Sequence, residues 1–260
     1  MDLAKRIEEM SLNGWPALQT ILYDGWLLRL ANGYTKRSNS VHPIYAHTYD
    51  LEQKIAYCES FYASHGLPSV FKVTPFAQPG NLDAKLEELG YELVDHTIVK
   101  TASLENIRPS HYEEFKLETE LSPEWLAALA GMQGLSESQQ ETTRRMMEGL
   151  PLQKAFVLLR SQGVPVACGI VVLEQGYGGL YDIVTESRHR GQGFGEEVVR
   201  HLLWWARGQG ARKGYLLVVK SNAAANRLYD KFGYQPLYEY WYRVKRQGGS
   251  SSAKRPLQGK

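Results

Sequence analysis

At 260 residues with 43% apolar content, the chain is long enough for one large domain or two small ones with packed cores. A formal net charge of +2 at pH 7 is too small for a nucleic-acid footprint, and Arg246, Lys254, Arg255 and Lys260 in the closing segment leave the body close to neutral. No apolar run approaches the roughly 20 residues that cross a bilayer, and Met1 to Glu9 lacks the apolar centre of a signal peptide, so the expected location is the cytoplasm.

In chain order, Gly25 to Val41 predicts a β-hairpin turned at Asn32-Gly33. Leu51, Ile55, Cys58 and Tyr62 recur at helical spacing, and Ser69 to Val73 reads as a strand. Leu82 to Gly90 reads as a second helix, running into a strand from Glu92 to Lys100. Thr101 to Glu120, with Arg108-Pro109 and many charges, reads as a linker and puts a domain boundary near 105–115. Ser122-Pro123 is an N-cap followed by proline at the first helical position, opening a helix that stops before Gly131 or Gly134. A further helix spans about Glu137 to Glu148, and Lys154 to Arg160 forms a hairpin with Val164 to Leu173 about Gln162-Gly163. Cys58 and Cys168 both lie in apolar elements without a second thiol or histidine at ligand spacing, so they read as buried free thiols and no metal site is expected.

Gly179 to Thr185 is a buried strand, and the stretch after it, Arg190-Gly-Gln-Gly-Phe-Gly195, opens an amphipathic helix. That helix buries Phe194, Val198, Val199, Leu202, Leu203 and Ala206. Glycines at 191, 193 and 195 permit a sharp turn and close approach of a ligand, so unpaired amides at the helix start can point at oxygen anions. The loop reads as a pyrophosphate cradle, with a plain tight turn as the alternative. A strand, Tyr215 to Val219, leads to a helix from Ser221 that ends at Gly233-Tyr234. Only Tyr234 to Lys245 remains before residues 246–260, which read as a flexible tail.

Arg190, Gly193 and Gly195, followed by a strand and then by Asn222, Ala225, Leu228, Tyr229, Gly233 and Tyr234, resemble the signature of the GCN5-related N-acetyltransferases (GNAT). The resemblance covers about residues 120 to 245. It implies an α/β (α+β) fold of two GNAT-like domains, each a mixed, mostly antiparallel sheet flanked by helices. Residues 1–105 would be a degenerate domain, 106–245 the catalytic one and 246–260 the tail. The ending Gly90-Tyr91 repeats Gly233-Tyr234, and at that offset Arg190, Gly193 and Gly195 fall on His47, Asp50 and Glu52, and Tyr229 on Leu86. Two carboxylates at a helix start suit the helix dipole and repel a phosphate, so the first half is expected to bind no nucleotide. It resembles the N-terminal part of bacterial tandem acetyltransferases. The family usually has two strands after the final glycine where this chain has room for one, so a strand lent by the other half, Glu92 to Lys100, is expected to complete the sheet.

The resemblance further implies acetyl-CoA as co-substrate. Arg190, Gly191, Gln192, Gly193, Phe194 and Gly195 would hold its pyrophosphate, and backbone groups of Ile183, Val184 and Thr185 its pantetheine arm and thioester. Asn222 would contact pantetheine or only cap its helix, and Tyr229 would protonate the departing thiolate. A phenol of pKa about 10 is a proton donor at neutral pH, whereas an amine of pKa about 10.4 arrives protonated and needs a base. Asp182 is the one acidic residue inside the central strand, with Glu186 the second candidate; His189 and His201 read as loop and helix-surface residues. Tyr238, Tyr240, Trp241, Tyr242, Trp26, Tyr34 and Asn39 are either structural or line an acceptor cleft. The expected activity is acetyl transfer to a primary amine of a small molecule, with an amine-bearing antibiotic (resistance or self-resistance) preferred over amino acids, polyamines and peptide N-termini. The competing reading is a non-catalytic acyl-CoA-binding sensor or interaction module. Neither nucleic acid nor membrane is an expected partner, and the chain is expected to be a monomer or homodimer.

Overall fold

Short apolar runs punctuated by glycine turns build the strands of this protein, seen in a computed structural model that describes residues 2–245. The expected tail lies outside them. In chain order the elements are α1 (Leu3–Gly14), β1 (Gln19–Tyr23), β2 (Trp26–Leu30), β3 (Val41–His42), α2 (Leu51–Ser64), β4 (Ser69–Val73), α3 (Leu82–Glu88) and β5 (Glu92–Ser103). There follow β6 (Phe115–Glu118), α4 (Pro123–Gln133), α5 (Glu137–Glu148), β7 (Lys154–Ser161), β8 (Val164–Glu174), β9 (Tyr177–Thr185), α6 (Phe194–Gly208), β10 (Lys213–Val219), α7 (Ala223–Lys231) and β11 (Gln235–Lys245).

Two compact units interleave along the chain. Unit 1 takes the residues up to Pro16, Ile98–Val218 and Asn222–Tyr238, and unit 2 takes Ala17–Thr97, Val219–Ser221 and the residues from Glu239. This differs from a contiguous division at residue 105, because α1 packs in unit 1 and both β5 and β11 run from one unit into the other. An amphipathic helix carries no local mark of which sheet it will cover. Here Trp15 stacks on Tyr181 with ring centroids 5.7 Å apart, and buried Glu8 accepts a 2.7 Å hydrogen bond from the Tyr238 hydroxyl.

In unit 1 the strands lie in the order β5-β10-β9-β8-β7-β6. The meander from β6 to β9 is antiparallel, and β10 joins β9 in parallel through the crossover helix α6. As expected of a lent strand, β5 lies beside β10. The segment read as a linker holds one more strand, β6, whose four residues pair with Phe156–Leu159; so short and half-exposed an edge leaves little pattern to read. Val157, Val171 and Leu180 pack under Val198, Leu202 and Ala206 of α6, with Leu216 and Tyr229 in the same cluster. Trp125 of α4 anchors to the sheet through its Nε1, 2.9 Å from the Val157 carbonyl.

In unit 2 the order is β1-β2-β3-β4-β11, antiparallel except for the parallel pair β3 and β4 joined by α2. β2 and β3 pair antiparallel, as a hairpin over Gly25 to Val41 predicts, and a further hairpin, β1 to β2, turns at Asp24-Gly25. The φ values there are 41° and 83°, the doubly left-handed geometry that matches strand twist and that recurs at Gln162-Gly163 and Gln175-Gly176. Asn32-Gly33 instead opens the longer connection from β2 to β3. Strand, helix, parallel strand, helix thus occurs twice: β3-α2-β4-α3 and β9-α6-β10-α7. No helix of the described residues is long and apolar enough to cross a membrane, and none of their His, Cys, Asp and Glu side chains form a group able to hold a metal ion.

Candidate active site

The site of unit 1 starts with a defect in β9. Across β8 and β9, Ile170 faces Tyr181 while Cys168 faces Val184, so β9 carries one extra residue at Asp182-Ile183. This is a β-bulge, and Asp182 sits in it with φ 46°, a backbone region that side chains other than glycine enter at a cost. On its other edge β9 pairs with β10 only from Tyr177–Leu180 against Lys213–Leu216. Tyr181–Thr185 therefore present a backbone edge that β10 does not use, which is what an extended ligand arm requires.

The loop after β9 ends at the start of α6. Gly191 and Gly193 have φ values of 77° and 92°, so a side chain there would be strained, and no heavy atom lies within 4 Å of where a Cβ on either would stand. Gly195 is seated: a Cβ would lie 3.4 Å from the Thr185 hydroxyl and 3.5 Å from Leu228. Gly193 is the N-cap and offers no side chain; its carbonyl accepts from the amides of Glu196 and Glu197 at 2.9 and 3.2 Å. The amides of Phe194 and Gly195 find no acceptor among the described residues, leaving the positive end of a 15-residue helix open. Arg190 and Gln192 stand exposed beside them, the latter donating to the Arg188 carbonyl at 3.1 Å. Phe194 is held edge-on to Tyr112, with centroids 5.7 Å apart.

Helix α7 closes the site from the side. The Asn222 side chain caps it, accepting from the Ala225 amide at 3.0 Å, and Tyr229 lies one turn further on, 8% exposed and packed in the core shared with α6. Asp182 is half-buried. Burial pushes the Cys168 thiol up, and the Asp182 charge adds to that shift. A Cβ at the next residue, Gly169, would run into Val198 and Leu202 of α6, so by strand alternation Cys168 belongs to the face away from α6. Glu186 is committed elsewhere. It accepts from the Arg188 amide and from His189 Nδ1, both at 2.8 Å, and hydrogen bonds from Ser187 and His189 hold its carboxyl down to about 2.

Several residues play other parts than expected. His201 is no surface group: it is 8% exposed, its ring 3.8 Å from that of Phe115, and burial pushes its imidazole below its ordinary value. Asn39 closes the β2–β3 connection by accepting from the amides of Ala31 and Gly33 at 2.7 and 2.9 Å. Trp26, Tyr238, Tyr240 and Tyr242 are core residues. Sequence reasoning missed a buried pair at the fork, Tyr181 and Tyr215, whose hydroxyls are 2.7 Å apart beneath Trp15. A Cβ on Gly179 would lie 2.4 Å from the Tyr215 ring, so a glycine inside an apolar strand was the available signal.

The corresponding junction of unit 2, between β3 and α2, is filled from within. The Asp24 carboxylate accepts from the Thr48 amide at 2.9 Å, the Thr48 hydroxyl at 2.8 Å and the Tyr49 amide at 2.9 Å. Fully buried Lys54 places its Nζ 3.1 Å from the same carboxylate. Burial pushes the Asp24 carboxyl up, but the hydrogen bonds from Tyr49, Thr48 and Lys54 outweigh it and hold it well below the usual carboxylate range. Asp50 caps α2 through the amides of Glu52 and Gln53.

A mixed sheet whose parallel strands part in front of a glycine-opened helix is the architecture of the GCN5-related N-acetyltransferases. The comparisons agree. Residues 4–243 match the family described as "Probable histone acetyltransferase Rv0428c C-terminal". The chain is 35% identical over 253 residues to the uncharacterized N-acetyltransferase YobR of Bacillus subtilis (strain 168), covering 95% of this chain and 100% of that protein. Its fold is similar to that of a GCN5-related N-acetyltransferase from Kribbella flavida, at a TM-score of 0.67 and 19% identity over 95% of this chain and 97% of that one. It is also similar to a tandem GNAT protein from the clavulanic acid biosynthesis pathway, at a TM-score of 0.58 and 15% identity over 75% and 69% of the two chains. The chain belongs to this Rv0428c-type family of the GNAT superfamily and is an N-acetyltransferase.

Proposed function

We propose that unit 1 transfers the acetyl group of acetyl-CoA to a primary amine of a small molecule. The observation that carries this reading is the pair of open amides, Phe194 and Gly195, beyond the end of a strand that β10 leaves unpaired after Leu180. Bound acetyl-CoA supplies an activated thioester, and the open space around Gly191 and Gly193 suits its pyrophosphate. Backbone amides of Gln192, Gly193, Phe194 and Gly195, with the charge of Arg190, hold that group. The free edge of Ile183, Val184 and Thr185 holds the pantetheine arm and donates to the thioester oxygen as charge develops on it, an effect on the order of 3 kcal/mol.

Asp182 takes the proton that the ammonium must lose. It stands in the bulge of β9, where its left-handed backbone costs on the order of 1 kcal/mol. As the carbon–nitrogen bond forms and the carbon–sulfur bond breaks, the Tyr229 hydroxyl gives its proton to the sulfur, and the second proton shed by the nitrogen as the amide forms restores the phenol. Asn222 caps α7 and so fixes where that phenol stands. In unit 2 Asp24 and Asp50 already occupy the equivalent amides, which supports one coenzyme per chain.

Among amines, the resemblance to tandem acetyltransferases favours an amine-bearing antibiotic. The test is a thiol-release assay with acetyl-CoA across aminoglycosides, cationic peptide antibiotics, polyamines, amino acids and lysine-bearing peptides. Turnover confined to one class identifies the acceptor. A thermal shift with acetyl-CoA but no turnover on any amine supports a non-catalytic binding module instead.

A further inference from the structure

The first turn of α6 contains a conflict. Glu196 and Glu197 follow directly on the two open amides, and carboxylates there oppose any dianion that docks on them. The structure answers it with cations brought from two directions. Arg200, one turn along α6, sets its Nη2 2.8 Å from Glu196 Oε1, and Lys231, arriving from the end of α7, sets its Nζ 2.9 Å from Glu196 Oε2. Phe232 lies under the Arg200 guanidinium, its ring centroid 5.3 Å away. Lys231 above all, and Arg200, hold the Glu196 carboxyl below the usual range despite its partial burial. Glu197 is drawn aside as well, accepting from the Ser110 hydroxyl at 2.5 Å.

We infer that Lys231 and Arg200 are positioning residues for coenzyme affinity: by cancelling the charge of Glu196 they keep the start of α6 receptive to a pyrophosphate. This rests on the assignment of that helix start to acetyl-CoA. It accounts for a long-range ion pair that would otherwise contribute little, since Lys231 is 64% exposed and such pairs are weak as stability devices. The role is electrostatic and needs no contact between Lys231 and the coenzyme. Removing the lysine must therefore be reversible by removing the acid.

The test is calorimetric titration of the full chain with acetyl-CoA, for wild type, Lys231→Met, Glu196→Gln and the double variant. Lys231→Met is expected to weaken binding about tenfold at low salt, with the loss shrinking at 0.5 M salt as the charge is screened. Glu196→Gln is expected to bind at least as tightly as wild type, and the double variant to return to the wild-type constant. Unchanged affinity in Lys231→Met overturns the inference while leaving the coenzyme assignment standing. So does a double variant that stays as weak as the single one, because the lysine would then touch the coenzyme itself. A wild-type chain that binds no acetyl-CoA overturns the assignment and this inference together. Melting temperatures measured alongside separate both from a merely structural role, which would move stability and not the salt-dependent affinity.

Discussion

The two strand-to-helix junctions, β9 to α6 and β3 to α2, share a topology and oppose each other in chemistry. In the first, left-handed Gly193 leaves the helix start without a side chain, and amides remain open. In the second, Asp50 caps the helix and Asp24 reaches from the neighbouring hairpin turn to take the amides of Thr48 and Tyr49. A helix start attracts an anion either way. What differs is whether the anion is a ligand or the chain's own carboxylates, here Asp50 and Asp24.

The largest effect comes from treating the halves as separable. A fragment of residues 106–245 lacks α1, β5 and the residues that follow each, and with them buried Ile7, Met10, Trp15 and Leu104 of unit 1. It is expected not to fold, read as the absence of a cooperative thermal transition; a stable fragment that binds acetyl-CoA would show that the interleaving is dispensable. Next, Gly193→Asp imports the unit 2 solution into unit 1 by placing a carboxylate at the N-cap and a side chain where φ is 92°. Acetyl-CoA binding should become undetectable by calorimetry while the circular dichroism stays that of the wild type, and undiminished binding would refute the cradle.

Tyr229→Phe sharpens the comparison at the catalytic step, since the repeat places Leu86 where unit 1 has a phenol. It is expected to lower kcat about 10²-fold with little change in coenzyme affinity, as loss of a group acting only in the transition state requires. An unaltered kcat would assign the proton to another donor. A smaller effect is expected at the closed junction. Asp24→Ala leaves buried Lys54 without its carboxylate and should lower the melting temperature, with inorganic phosphate restoring part of the loss; no response to phosphate would mean that the junction is not an anion site at all.

The acid limb of stability gives the smallest and most local readout. Because the Asp24 carboxyl is held down in the folded chain, its contribution is complete above the unfolded value of about 3.9 and is lost as pH falls through the folded one. The stability difference between wild type and Asp24→Asn should therefore be constant above about pH 5 and shrink below pH 3.9. A difference that persists undiminished at pH 2 would remove the carboxylate's ionisation from the account.

What the sequence determined by itself is everything set within a few residues. Ser122 with Pro123 starts α4, glycines 191, 193 and 195 open α6, the apolar face from Val198 to Ala206 buries it, and Asn222 starts α7. Caps, left-handed turns and helical periodicity act over one or two turns of chain, so they survive without knowledge of the fold. Asp24-Gly25 carries the same local signal as Asn32-Gly33, and both pairs are left-handed in the fold. Only the tertiary structure decided the rest: that α1 covers the sheet of unit 1, that β5 and β11 each serve both units, that a bulge falls at Asp182, and that Asp24 meets Thr48 while Lys231 meets Glu196. Each of these pairs groups far apart in sequence or depends on register across a sheet, and their partners are selected by packing and charge in the folded chain, which no local pattern encodes.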